Sequence, residues 1–244
     1  MYDYYLRPAG GYFGTRKACE PLHVQYSYDD RSVVVVSELA QAQNGLKVAA
    51  RVYDLALTEK FAQEARVDVG PDGVVRAFTI PSIPGLSKTY FVRLALDDAS
   101  GRRLSSNFYW LSTQEDVVDF ADESKWWYTP TRTHADLTAL ADLPATGLTA
   151  QARPADEGSQ RAARVSVANT GHALAFQVRL KLLDTGGDEI LPVYWQDNYF
   201  ELFPGETREV AVSFPAPPRA GPLRIEAGAW NAAVANASVV PHRD

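Results

Sequence analysis

In the segment Tyr90-Phe-Val-Arg-Leu-Ala-Leu-Asp97, large apolar side chains at the even positions alternate with a second set that includes Arg93 and Asp97. The same period of two appears in Val24–Tyr28 and Val48–Val52. Because successive side chains of a strand point to opposite faces, this pattern is typical of a strand with one face on a core and the other in water. Burial on one side is characteristic of antiparallel sheets.

Turn signals separate these alternating runs and set the number of strands. Asn44-Gly45, Pro84-Gly85 and the tetrapeptide Gly70-Pro-Asp-Gly73 contain the residues that favour turns. About seven short strands therefore fit between residues 21 and 113, which is the content of one immunoglobulin-like β-sandwich.

The alternation stops at residue 114 and resumes in the second half of the chain. An acidic junction over residues 114–125 precedes new alternating runs at Val178–Leu182, Val210–Phe214 and Leu223–Ala227. We therefore expect an all-β chain with two tandem immunoglobulin-like sandwiches. The predicted division is an N-terminal segment 1–19, a first sandwich 20–113, the junction 114–125 and a second sandwich 126–244.

The N-terminal segment has a helical spacing instead of a strand period. Tyr2, Tyr5 and Leu6 follow the i, i+3, i+4 rule, and Pro8 and Gly10-Gly11 end the pattern. A helix of about one and a half turns is not stable alone in water, so it needs a surface to pack on. We infer that it belonged to a larger body. The alternative is a short helix folded onto a neighbouring domain of the same chain.

The same segment carries a patch of apolar side chains that, left exposed, would promote self-association of the isolated chain. The patch consists of Tyr2, Tyr5, Leu6, Tyr12 and Phe13.

Charge and hydropathy exclude two classes of partner. The 24 Lys and Arg against 30 Asp and Glu give a net charge of −6, and no basic patch is available for nucleic acid. No apolar run approaches the ~20 residues of a membrane-spanning helix. The first residues also lack the basic and apolar regions of a secretory signal. We expect neither a nucleic-acid nor a membrane partner.

The sequence contains no catalytic, metal-binding or cofactor-binding constellation. The four histidines are scattered without metal-ligand spacing, and His23 alternates onto the exposed face of its strand. The single cysteine, Cys19, excludes a disulfide framework and a cysteine zinc site. Carboxylate pairs such as Asp29-Asp30 fall in predicted turns, where solvation explains them. We predict no catalytic residue, no metal and no cofactor.

Aromatic side chains near strand ends and junctions are the better candidates for a binding site. Exposed tryptophans could stack on sugar rings, and Asp197 and Asn198 could reach toward a substrate from the same loop as Trp195. The alternative is packing in a core, where each aromatic ring buries on the order of 200 Å², with Asp197 and Asn198 as turn formers. The candidate carbohydrate-facing residues are Trp126, Trp127, Trp195, Asp197 and Asn198.

Three stretches stand out as a set: Tyr12-Phe-Gly-Thr-Arg-Lys-Ala-Cys-Glu-Pro-Leu-His-Val-Gln-Tyr-Ser-Tyr-Asp-Asp-Arg-Ser-Val-Val-Val-Val36, Phe108-Tyr-Trp-Leu-Ser-Thr113 and Leu191-Pro-Val-Tyr-Trp-Gln-Asp-Asn-Tyr-Phe-Glu-Leu-Phe-Pro-Gly-Glu206. Together they resemble the C-terminal portion of glycoside hydrolase family 2 enzymes of the exo-β-D-glucosaminidase and β-mannosidase branch. The resemblance covers nearly the whole chain in the same order.

The resemblance implies that two immunoglobulin-like domains follow a (β/α)8 barrel, and that residues 2–18 are the tail of the barrel's last helix and its exit. The catalytic carboxylates of the family lie on barrel strands, and no residue here matches them. The implied parent is a bacterial, exported (periplasmic or secreted) hydrolase that works through a glycosyl-enzyme intermediate. Its upstream barrel would be the partner of this chain. Both a glucosaminidase and a mannosidase parent fit this resemblance.

Three functions follow for the chain itself. The leading hypothesis is a structural accessory unit that braces the barrel and is not catalytic on its own. The second is a carbohydrate-binding module that uses exposed aromatics. The third, a partner-binding immunoglobulin-like protein, rests on analogy of fold alone.

Overall fold

A computed structural model of the chain describes residues 1–122, 124, 127–157, 160–215 and 221–239. The chain forms two compact units, each with its own hydrophobic core. One unit is Lys17–Asp142, which contains the first sandwich, and the other combines Met1–Arg16 with Leu143–Asp244, which contains the second. The predicted all-β class with two immunoglobulin-like sandwiches is confirmed.

The first sandwich has the seven strands expected between residues 21 and 113. They are β1 (Leu22–Tyr26), β2 (Ser32–Ser37), β3 (Gln43–Asp54), β4 (Glu59–Val69), β5 (Gly73–Thr79), β6 (Thr89–Asp97) and β7 (Arg103–Ser112). A three-stranded sheet in the order β1-β2-β5 and a four-stranded sheet in the order β4-β3-β6-β7 enclose the core. All of these pairings are antiparallel.

Alternation in β3 and β6 fixes which side chains enter this core. Val48 pairs with Leu96 and Ala50 with Leu94 across the two strands, and all four side chains are buried. Phe91, on the other face of β6, is also buried, and its ring centroid lies 5.4 Å from that of Phe108. After β7 the same unit contains a short hairpin, β8 (Val117–Val118) and β9 (Thr131–Thr133), and a 3-10 turn at Thr138–Asp142.

The second sandwich is built from eight antiparallel strands in two four-stranded sheets. They are β10 (Leu148–Glu157), β11 (Gln160–Asn169), β12 (Ala175–Leu183), β13 (Tyr194–Trp195), β14 (Phe200–Leu202), β15 (Thr207–Phe214), β16 (Leu223–Ala229) and β17 (Ala232–Val239). One sheet has the order β10-β11-β15-β13 and the other β14-β12-β16-β17. Val178, Leu180, Val210, Val212 and Ile225 are among the buried residues between them.

The N-terminal helix lies later in the chain than the apolar spacing predicts. The prediction of helix at Tyr2–Leu6 is wrong, because the Asp3 carboxylate accepts hydrogen bonds from the backbone N–H groups of Tyr5 and Arg7 at 2.9 Å. Leu6 has a φ of 63°, which no right-handed helix accommodates. The helix, α1, spans Gly10–Ala18 instead.

The prediction that His23 faces water is also wrong. His23 is only 3% exposed, although it alternates with the core residues of β1. The outer face of β1 is covered at this point by Glu20 and by Asn107 of β7, which both lie within 3.4 Å of the imidazole nitrogens. Period-two alternation cannot reveal such a cover, because it reports only which side chains share a face.

Candidate functional site

The indole of Trp195, one of the candidate carbohydrate-facing residues, is packed in the core of the second sandwich. Trp195 lies at the end of β13, where it pairs with Val212 of β15, and only 4% of its surface is exposed. Its backbone carbonyl accepts a hydrogen bond of 3.0 Å from Nη1 of Arg16, near the end of α1. The contacts of Trp195 are those of a packing residue, the alternative weighed for it above.

Asn198 satisfies the backbone of a neighbouring strand. Its Oδ1 accepts from the N–H of Leu180 at 2.8 Å, and its Nδ2 donates to the carbonyl of the same residue at 3.0 Å. The N–H of Tyr199 also donates to Oδ1 at 3.0 Å. The side chain is 4% exposed, so these bonds are shielded from water and fix the loop that joins β13 to β14.

Asp197 and Arg208 form an ion pair on the same loop. Oδ2 of Asp197 lies 2.7 Å from Nη1 of Arg208, whose guanidinium carbon sits 4.6 Å from the centroid of the Phe200 ring. The arrangement holds Arg208 flat against the start of β14. Both charged groups of Asp197 and Arg208 are therefore engaged with the protein.

Glu201 has the most perturbed carboxyl group on this loop. Burial raises the pKa of Glu201 to about 8, against the opposing effects of the Arg208 charge and of a hydrogen bond from Gln177. Gln177 Nε2 donates that bond to Oε1 at 3.1 Å. At neutral pH Glu201 is therefore largely protonated, and it acts as a neutral hydrogen-bonding partner of β12.

The N-terminal segment packs against this loop and against the strand connection before it. The Phe13 ring of α1 is buried, and its centroid lies 6.0 Å from that of Tyr199. Arg7 Nε donates a 2.8 Å bond to the Glu189 carboxylate. Tyr199 has a φ of 57°, an uncommon conformation for a residue with a side chain. We conclude that the loop over residues 195–201 forms the surface on which α1 docks.

Of the predicted apolar patch, part is covered and part is not. Phe13 is in the core of the second sandwich and Tyr12 packs against it, whereas Tyr2, Tyr5 and Leu6 are exposed. Self-association through the exposed part stays a prediction.

Trp127 is the exposed member of the candidate set. It is 61% exposed, and its ring centroid lies 6.0 Å from that of Tyr128, which is also exposed. Phe120, in the preceding part of the junction, is exposed as well. Trp126 lies outside the described residues. Trp127 and Tyr128 belong to the unit Lys17–Asp142, whereas Trp195, Asp197 and Asn198 belong to the other unit, which has exposed aromatics of its own such as Trp230.

Sequence reasoning did not anticipate a polar cluster around Glu20. Ser105 Oγ donates to Glu20 Oε2 at 2.6 Å, Lys17 Nζ lies 2.7 Å from Oε1, and His23 Nδ1 is 3.4 Å from Oε2. Burial of Glu20 opposes ionisation, but the bonds from His23, Lys17 and Ser105 outweigh it and lower the pKa of Glu20 to about 2.

Ser, His and Glu side chains meet in this cluster, but their order differs from that of a hydrolytic triad. The Ser105 hydroxyl donates to the Glu20 carboxylate and not to the imidazole, and a carboxylate whose pKa is lowered to about 2 is too weak a base to activate it as a nucleophile. The cluster instead ties the residues before β1 to β7. No signal in the sequence links positions 82 or more residues apart, and the contact arises only from the sheet order.

Within the described ranges, no three His, Cys, Asp or Glu side chains are grouped so that they could hold a metal ion. In the same part of the chain, no helix has the length and hydropathy needed to cross a membrane. Cys19 is exposed and forms no disulfide.

Two family models match the chain. One, described as the exo-β-D-glucosaminidase Ig-fold domain, matches residues 126–232. The other, described as a mannosidase Ig/CBM-like domain, matches residues 29–114. Together they cover most of both units.

Curated relatives and solved structures agree with these matches. An exo-β-D-glucosaminidase of Streptomyces avermitilis is 39% identical over 96% of this chain and 26% of its own length. One of Amycolatopsis orientalis is 40% identical over 88% of this chain and 21% of its own length. The crystal structure of an Amycolatopsis orientalis exo-chitosanase superposes with a TM-score of 0.90, at 35% identity, over 98% of this chain and 28% of that one. The chain thus spans about a quarter of the length of the relatives it matches.

Proposed function

We propose a supporting role in a larger glycosidase for this chain, which belongs to the C-terminal immunoglobulin-like region of the exo-β-D-glucosaminidase and β-mannosidase branch of glycoside hydrolase family 2. The chain is the immunoglobulin-like accessory portion of such proteins. The proposal is that its two sandwiches brace the catalytic barrel of the whole protein. Fold alone does not imply this role, since immunoglobulin-like sandwiches serve many functions.

One observation carries the proposal: the loop at residues 195–201 is occupied by the N-terminal segment. Trp195 and Asn198 are buried by the protein itself, and Asp197 is paired with Arg208. The loop is therefore engaged in fixing α1 onto the second sandwich. This supports a structural task for the third of the three stretches that resemble the family, Leu191–Glu206.

For the whole protein we propose exo-acting hydrolysis of β-linked glucosamine, by analogy with the names of its relatives in Streptomyces and Amycolatopsis. The reaction would proceed through a glycosyl-enzyme intermediate formed on one barrel carboxylate, with a second carboxylate acting first as the acid and then as the base. The residues described here would contribute rigidity and would not contact the reacting atoms.

The test compares this chain with the full-length protein at equal molar concentration. p-Nitrophenyl β-D-glucosaminide and p-nitrophenyl β-D-mannoside are the substrates, and a heat-denatured sample is the control. We expect nitrophenol release from the full-length protein on the glucosaminide and none above the control from the chain alone. Turnover by the chain that survives further purification would contradict the supporting role.

Carbohydrate binding is the second candidate function, and the exposure of Trp127 and Tyr128 favours it. Two adjacent exposed rings can stack on a sugar. Tryptophan fluorescence of the chain during titration with chitosan oligomers tests this function, and Trp127→Ala is the matched variant. An unchanged spectrum at millimolar oligomer would reject it.

A further inference from the structure

A crevice opens at one end of the first sandwich, where β1 and β7 end and β2 and β6 begin. Its volume is about 150 Å³. Cavities of roughly this size hold one six-membered ring, as small apolar cavities of ~150 Å³ hold benzene. The walls include the apolar side chains of Ile80, Ile83 and Leu86, and the floor reaches the buried Val52 and Val92.

Two phenols stand inside this crevice. Tyr26 and Tyr90 both line it, and burial raises the pKa of both. Both therefore remain neutral hydroxyl groups at physiological pH. Each can still exchange one further hydrogen bond with a ligand, because a phenol can both donate and accept.

Charges of opposite sign stand at the rim. Arg31 favours, and Glu115 disfavours, ionisation of both phenols. Arg31 and Glu115 both line the crevice. Neither forms an ion pair within the described part of the chain. A ligand that brings its own cation and its own hydroxyl groups can satisfy both.

We propose that this crevice binds a single amino-sugar residue, with its ammonium group at Glu115, its hydroxyl groups at Arg31 and the two tyrosines, and the C–H face of its ring on Ile83 and Leu86. A pyranose ring has six ring atoms, as benzene has, and its mixed surface matches the apolar wall and the charged residues of the open crevice. The choice of an amino sugar over a neutral sugar rests on the proposed function of the whole protein and on the unpaired carboxylate. The site lies on the first sandwich and is separate from the aromatic pair Trp127 and Tyr128.

The experiment uses this chain and follows the aromatic NMR signals of its tyrosines. D-glucosamine, D-glucose and the β-1,4-linked dimer of glucosamine are titrated in turn to about 50 mM, a range that covers millimolar affinities. We expect signals of Tyr26 and Tyr90 to shift with glucosamine and with its dimer, and about threefold to tenfold weaker binding of glucose, which has no ammonium group. Tighter binding of the dimer than of glucosamine would indicate a site for the chain end of a polymer, and equal binding would indicate a site for a single sugar residue.

Glu115→Gln removes the charge and keeps the shape of an exposed side chain, so it leaves the fold intact. This variant should bind glucosamine only as well as glucose. Glu38→Gln is the matched control, since Glu38 is an exposed carboxylate about 20 Å away at the other end of β2. Absence of tyrosine shifts, equal affinity for glucose and glucosamine in the unmodified chain, or an unchanged preference in Glu115→Gln would each overturn the proposal. None of these outcomes bears on whether the full-length protein hydrolyses glucosaminides.

Discussion

Replacing Phe13 with alanine tests whether α1 is an integral part of the second sandwich. Phe13 is 6% exposed and belongs to the buried cluster of this sandwich, with ring centroids of Tyr12 and Tyr199 at 5.1 and 6.0 Å. Truncation of a buried phenylalanine costs about 3–5 kcal/mol. A nine-residue helix is not stable once undocked. We therefore expect α1 to detach, so the free energy of unfolding of the unit should fall by no more than the docked helix contributes, at most about 3–5 kcal/mol.

Native-state hydrogen exchange separates this loss by region. Backbone amides of α1 and of the neighbouring strand β12 should lose protection, while amides of β3 and β6 in the first sandwich should not change. Tyr4→Ala is the matched control, because Tyr4 is 92% exposed and its truncation should cost less than about 0.5 kcal/mol. If Phe13→Ala and Tyr4→Ala had the same exchange pattern, α1 would not be held by the second sandwich, and the structural role assigned to the loop at residues 195–201 would fail.

Three further predictions concern buried polar groups. Asn198→Ala should destabilise the second sandwich by about 2–4 kcal/mol in urea unfolding, because it leaves both backbone groups of Leu180 unpaired, whereas truncation of the exposed Asn236 should have little effect. Because the pKa of Glu201 is raised to about 8, its contribution to the free energy of unfolding is fully present below the unfolded pKa of 4.5 and is lost as pH rises through 8. Glu201→Gln should remove this pH dependence and raise the free energy of unfolding at pH 8 by roughly 1–3 kcal/mol. Since the pKa of Glu20 is lowered to about 2, its contribution is present above pH 4.5 and is lost as pH falls toward 2, so acid unfolding of the first sandwich should become flatter in Glu20→Gln.

The strands that alternate clearly, such as β6, were predictable because one of their faces is exposed to water. Leu94 and Leu96 alternate with Arg93 and Asp97, and the structure buries the first pair and not the second. This pattern depends only on the local geometry of a strand, so it survives without knowledge of the partner strands.

The position of α1 was not predictable on the same basis. The helix contains Gly10, Gly11 and Gly14, which lower helix propensity, and it forms because Phe13 and Arg16 find partners about 180 residues away. Conversely, Tyr2 and Leu6 have helical spacing, but no helix forms there. The Asp3 carboxylate accepts hydrogen bonds from nearby backbone N–H groups, which replace those of a helix.

Asn198 was a candidate site residue because the local sequence does not show which distant backbone groups lack a strand partner. Strands β12 and β14 pair through Ala175 with Leu202 and Val178 with Phe200, with a shift of register between them. Beyond Phe200 the chain turns away at Tyr199, so Leu180, two residues after Val178 in β12, has no strand partner on that side. The Asn198 amide presents its oxygen and one of its two N–H donors to Leu180, as a peptide group of a paired strand would, and so replaces that partner. A polar residue beside aromatics in a loop is therefore as consistent with completing a sheet edge as with binding a substrate, and Asn198→Asp separates the two roles: an aspartate keeps the acceptor, loses the donor, and should recover only part of the stability lost in Asn198→Ala.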